Sequence, residues 1–96
     1  MKLDHIAIVV KDISSSVNWY CENFNAKINY KDDTWANVSV GDTTIAFVLE
    51  GMHPPHFAFD MTGTTCTSEK THRDGSRYEY IKDPDGNVVE KLWWPE

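Results

Sequence analysis

His5-Ile6-Ala7-Ile8-Val9-Val10 and His56-Phe57-Ala58-Phe59-Asp60-Met61 share one pattern: histidine, large apolar, alanine, large apolar, fifty-one residues apart. A pattern recurring at such a spacing marks two copies of one supersecondary unit. Each reads as a short strand, because successive strand side chains point to opposite faces. The first places His5, Ala7 and Val9 against Ile6, Ile8 and Val10, and the second places His56 and Ala58 against Phe57, Phe59 and Met61. A small alanine two residues after each histidine leaves room on the imidazole face, which points to a cavity rather than a filled core.

Outward from the first copy, Lys11-Asp12-Ile13 reads as a turn and Ser14 as the N-cap of a helix. Val17, Tyr20, Cys21 and Phe24 fall at i, i+3, i+4 and i+7, an amphipathic stripe that Asn25 can close. Three strands follow at 26–31, 35–40 and 43–49, with turns at Asp32-Asp33 and Gly41-Asp42. The order is β-α-β-β-β. The second copy departs after Met61. Residues 62–76 carry one apolar residue, Cys66, and no stripe, which predicts a loop with at most one helical turn. Strands resume at 77–82 and 87–94 across the turn Asp83-Pro84-Asp85-Gly86-Asn87. His5 to Gly41 spans 36 residues and His56 to Gly86 spans 30, so the second copy is shorter where a helix should stand. The expected organisation is one domain, 1–96, with module one at 1–51, a stiff proline-containing linker at 52–55 and module two at 56–96.

Ninety-six residues accommodate one small core. The longest uncharged apolar run, Ile6 to Val10, is far too short to span a membrane. Nine Lys and Arg against fifteen Asp and Glu give a net charge of −6, which excludes the basic footprint that nucleic-acid binding needs. The absence of an apolar leader and of a Cys-x-x-Cys pair predicts a reduced, cytoplasmic setting for Cys21 and Cys66.

His5, His56 and Glu90 stand out together. The two histidines open equivalent strands, and Glu90 shares a strand face with Val88 and Leu92. A carboxylate on an apolar face is costly unless it has a partner. Two imidazoles and a carboxylate on one concave surface make a site for Zn²⁺, Fe²⁺, Mn²⁺ or Ni²⁺. Taken singly, a strand-opening histidine is ordinarily a capped or surface residue, and a late glutamate is ordinarily solvated. His53 precedes two prolines and His72 lies in the polar loop, so both read as solvated. Trp19 and Trp93 read as packing residues. Trp35, beside Asn37 and Ser39, and Trp94, on the Glu90 face, read as pocket-lining residues.

The strand His5-Ile6-Ala7-Ile8-Val9, the helix with Trp19-Tyr20, the restart at His56-Phe57-Ala58-Phe59 and the run from Tyr80 through Asp83-Pro84-Asp85-Gly86-Asn87 to Glu90 resemble the vicinal oxygen chelate superfamily of glyoxalases, bleomycin-resistance proteins and extradiol dioxygenases. The resemblance implies an α+β fold of two βαβββ modules curled into a half-open barrel, here with the second helix reduced or absent. It implies that His5, His56 and Glu90 hold a divalent metal. It also implies that the metal chelates a small substrate through adjacent oxygens, in a lyase, isomerase, transferase or dioxygenase reaction. Trp35, Asn37, Tyr78, Tyr80 and Trp94 are the candidate substrate-binding residues. Glyoxalase I adds a glutamate ligand in the last strand of the first module; here the nearest acid, Glu50, falls at that strand's end. The alternative is a non-catalytic protein of the bleomycin-resistance type, sequestering a cationic or aromatic ligand. A missing second helix would leave the Val89 and Trp93 face of the last strand bare, which predicts a homodimer.

Overall fold

A computed structural model describes residues 1–96. Its elements are β1 (Lys2–Val10), α1 (Ile13–Phe24), β2 (Lys27–Lys31), β3 (Trp35–Val40), β4 (Thr43–Leu49), β5 (His56–Asp60), β6 (Arg77–Lys82) and β7 (Val88–Trp93). The architecture is α+β, with seven strands and one helix, and the second module has no helix. The chain divides into two compact units, His5–Pro55 and Met1–Asp4 with His56–Glu96.

In the His5–Pro55 unit the strands lie in the order β2-β3-β4-β1, with β1 parallel to β4 and the other pairs antiparallel. Helix α1 lies over one face. Ile13 and Val17 bury themselves against Ala36, Val38 and Phe47, and Ile8, Val10, Ile45 and Leu49 pack around this cluster. The face of β1 read as apolar is therefore the helix side, and His5 and Ala7 stand on the other side. The N-cap is Asp12 rather than Ser14. Asp12 takes an extended backbone and accepts the Ser15 amide at 2.8 Å, which holds its carboxyl below the usual range. The helix starts two residues earlier than a Ser14 cap predicts because Ile13 is buried in the cluster. Asn25 closes it at φ 54°, donating its amide to Cys21 O. Two aromatic expectations change. Phe24 and Trp19 are about half exposed and pack mainly on each other and on Tyr20.

In the other unit the order is β5-β7-β6, with β5 parallel to β7 and β6 antiparallel to it. This repeats the β1-β4-β3 arrangement. Missing from it are a helix and a full counterpart of β2. A vestige of the latter remains: Thr71 forms a single antiparallel bridge with Arg77, and the Tyr78 amide donates to Lys70 O. The loop also covers more than expected. Trp93, expected to be bare, is buried, its indole N–H donating to Thr64 Oγ1. The exposed part of that sheet face is instead Phe57 (49%), Phe59 (37%) and Ile81 (40%), beside the half-buried Val89. At the β6–β7 turn, Asp83 accepts the Asp85 and Asn87 amides and the Asn87 side chain, and Gly86 adopts φ 87°.

Phe47 is fully buried beneath α1. Phe47→Ala is expected to cost about 3–5 kcal/mol, a large share of the roughly 5–15 kcal/mol that holds a domain folded. Urea denaturation measures the loss.

Candidate metal centre

The register of β5, β7 and β6 builds the site. Ala58 pairs with Glu90, and Glu90 pairs with Tyr80. Cross-strand partners point to the same side of a sheet, so Glu90 projects into a row with Ala58 and Tyr80, and His56 stands two residues along β5 on the same face. Alanine at 58 leaves the space that the carboxylate fills. Glu90 has no exposed surface, and His56 is 8% exposed.

A carboxylate removed from water is tolerated only with partners. Glu90 has two imidazoles, one on each oxygen. His56 Nε2 lies 3.2 Å from Oε1, and His72 Nε2 lies 2.6 Å from Oε2. An ionised carboxylate only accepts hydrogen bonds, so without a metal His72 presents an Nε2–H to Oε2, while His56 stands at ion-pair distance from Oε1. Two tyrosines wall the site. Tyr80 meets His56 edge-on with ring centroids 5.1 Å apart, and Tyr78 stacks flat on His72 at 3.7 Å and 8°. Burial, the Glu90 charge and Tyr78 together push the Tyr80 phenol well above its ordinary range.

The donor set suits a metal. Two ligand atoms bonded at about 2.0–2.2 Å to one ion in tetrahedral or octahedral geometry stand roughly 2.8–3.6 Å apart. The 3.2 Å separation of His56 Nε2 and Glu90 Oε1 falls in that interval. A cation there would replace the proton between two groups that are already desolvated.

The remaining candidates have these surroundings. His5 is half-buried on the non-helical face of β1, two residues before the buried Ala7. Ala7 pairs with Ala46, and Asn37 is the next partner across. Asn37 accepts from the Asn29 amide at 3.0 Å, within a polar cluster that includes Ser39. Trp35 stacks on Tyr30 at 4.5 Å. Trp94 donates its indole N–H to Asp4 and lines an open cavity of about 360 Å³ with Thr62, Cys66, Arg77 and Trp93. The repeat also locates the missing acid. Because Ala7 pairs with Ala46 as Ala58 pairs with Glu90, Ala46 occupies in the first module the position of Glu90 in the second. Glu50 lies beyond the end of β4. His72, read from sequence as solvated, sits against Glu90. No periodicity could have located it, because it belongs to a loop.

The sequence model of the Glyoxalase/Bleomycin resistance protein/Dioxygenase superfamily matches residues 2–60. The chain belongs to this superfamily. No curated protein matches it. Among solved structures, it is similar to the Streptomyces coelicolor methylmalonyl-CoA epimerase in complex with 2-nitronate-propionyl-CoA, with a TM-score of 0.76 and 13% identity over 100% of this chain and 99% of that one. It is also similar to the Mycobacterium tuberculosis methylmalonyl-CoA epimerase, with a TM-score of 0.75 and 14% identity over 99% and 89% of the two chains. A Vibrio splendidus superfamily member aligns with a TM-score of 0.73 and 12% identity over 97% and 100%. At these identities the likeness is one of fold. The family match covers the first module and β5, so His5 and His56 fall within it and Glu90 beyond it.

In metal-free protein, His56→Ala is expected to leave the Glu90 carboxylate short of a partner and to lower stability by about 1–3 kcal/mol. Glu90→Gln, which removes the buried charge, is expected to cost less. Urea titrations of both variants with chelator present make the comparison.

Proposed function

We propose that this superfamily member is a metal-dependent enzyme in which His5, His56 and Glu90 hold one divalent ion, Zn²⁺, Fe²⁺, Mn²⁺ or Ni²⁺. The observation that carries the reading is the buried Glu90 carboxylate with His56 at a ligand-to-ligand distance. His5 enters as the repeat equivalent of His56, standing in β1 two residues before Ala7 as His56 stands in β5 two residues before Ala58. When bound, the ion supplies a Lewis acid that binds adjacent oxygens of a small substrate and stabilises negative charge on them. The chain's own residues do the rest. Tyr80 and Tyr78 form a wall that keeps water from the carboxylate and offers a phenol to a substrate oxygen. Trp35, Asn37 and Trp94 supply the remaining substrate contacts. Ala46 in place of a second carboxylate gives a site with one negative ligand, which favours a cation that keeps more net charge toward the substrate. Free Cys21 and Cys66 fit a reducing, cytoplasmic setting, and no helix is long and apolar enough to cross a membrane.

The test is reconstitution with each of the four ions followed by metal analysis. Near-stoichiometric uptake is expected in the wild type. A loss beyond the ~10–100-fold typical of outer partners is expected in His5→Ala and Glu90→Ala. Unchanged uptake in both variants refutes the assignment.

The same reading includes a homodimer that covers Phe57, Phe59 and Ile81, apolar side chains grouped on one sheet face. Light scattering at micromolar concentration is expected to give twice the chain mass, and Phe57→Lys to give the monomer.

A further inference from the structure

We propose that His72 is a positioning residue that fixes Glu90 in the orientation a metal ion needs. This rests on the metal reading above and concerns a residue outside the ligand set. Two distances separate the roles of the imidazoles. His56 Nε2 and Glu90 Oε1 are 3.2 Å apart, a separation that two ligands of one ion can hold. His72 Nε2 and Glu90 Oε2 are 2.6 Å apart, closer than the ~2.8 Å that ligands bonded at 2.0–2.2 Å allow. That is the length of a short charge-assisted hydrogen bond. His72 therefore occupies Oε2 and leaves Oε1 as the ligating atom. Without it the carboxylate could rotate about its last bond or present both oxygens.

His72 is itself held, as a positioning group must be. Its ring lies flat on Tyr78. Its amide donates to Ser76 O at 2.8 Å, and the Gly75 amide donates back to His72 O at 3.0 Å. Gly75 supplies the φ of 89° that this tight turn requires. Asp74 accepts both the amide and the hydroxyl of the fully buried Ser76. The turn is anchored to β6 by the Thr71–Arg77 bridge. Thr71, His72, Asp74, Gly75, Ser76 and Arg77 thus have defined partners, and their arrangement delivers one imidazole to one carboxylate oxygen. This turn stands where the first module has its β2–β3 turn, which carries no histidine.

The experiment compares wild type, His72→Gln and His72→Ala with Zn²⁺ and Co²⁺ as probes. Zn²⁺ affinity is read by competition with a chromophoric chelator, the coordination sphere by the visible bands of bound Co²⁺, and folding by thermal melts. For a positioning role, His72→Ala weakens Zn²⁺ about 10–100-fold. His72→Gln, whose amide can donate near the place of Nε2, recovers most of that loss and keeps the wild-type Co²⁺ bands. Altered Co²⁺ bands in His72→Gln overturn the proposal, because they make His72 a direct ligand. Wild-type affinity in both variants also overturns it while leaving the metal reading intact. A wild type that takes up neither ion overturns both. Should His72→Ala fail to fold, Tyr78→Leu replaces it; loss of the stacked ring is expected to weaken Zn²⁺ by a smaller factor, and wild-type affinity there, with His72→Gln also unchanged, overturns the proposal.

Discussion

Glu90 carries a carboxylate into a position without solvent, and the second unit is arranged around making that tolerable. An unpartnered buried charge destabilises a fold by several kcal/mol, a large fraction of what a chain of this length has available. Three elements answer it. β5 brings His56 to one oxygen, the 70–77 turn brings His72 to the other, and β6 lays Tyr80 and Tyr78 along the imidazoles. Each depends on strand register. Ala58, directly across from Glu90, leaves the space, and a slip of one residue would turn Glu90 to the opposite face.

The two modules show how one topology serves two purposes. In each, a histidine-bearing strand runs parallel to the module's last strand, and the next-to-last strand pairs antiparallel with it. In the first module α1 covers the outer face and makes an apolar core around Val17, Val38 and Phe47. At the Glu90 position it has Ala46. In the second module the helix is gone, Phe57, Phe59 and Ile81 are exposed, and the carboxylate appears. Stability is concentrated in the module with the helix, and the buried charge in the module without it. The loop that replaces the helix is not idle, because it buries Trp93 through Thr64 and carries His72.

Much of this was legible from residues. In 35–40, Ala36 and Val38 alternate with Trp35, Asn37 and Ser39, and both are fully buried. The bounds of β4 and β6 follow from alternation and flanking turn residues, and Asn25 ends the helix as its left-handed tolerance allows. Local signals succeed there because the controlling interactions lie within a few residues. Ser14 was misread because three consecutive serines resemble a cap, while the choice fell to Asp12 once Ile13 had a core to enter. Trp19 and Trp93 both read as packing residues; Trp93 is buried, whereas Trp19 is half exposed. Whether a large ring is covered depends on what packs over it, and for Trp93 that cover comes from Thr64, twenty-nine residues away.

The sequence by itself determined the repeat, the strand-and-helix order, the missing second helix and the presence of His56 and Glu90 on strands of the second module. These are written in periodicity, and periodicity dictates which side chains share a face. Only the tertiary structure decided that Glu90 is wholly buried, that its two oxygens are divided between His56 and His72, and that Ala46 stands where a further acid would be. Those facts depend on strand register and on the path of an irregular loop. Both are fixed by contacts between residues far apart in sequence, which no local pattern encodes.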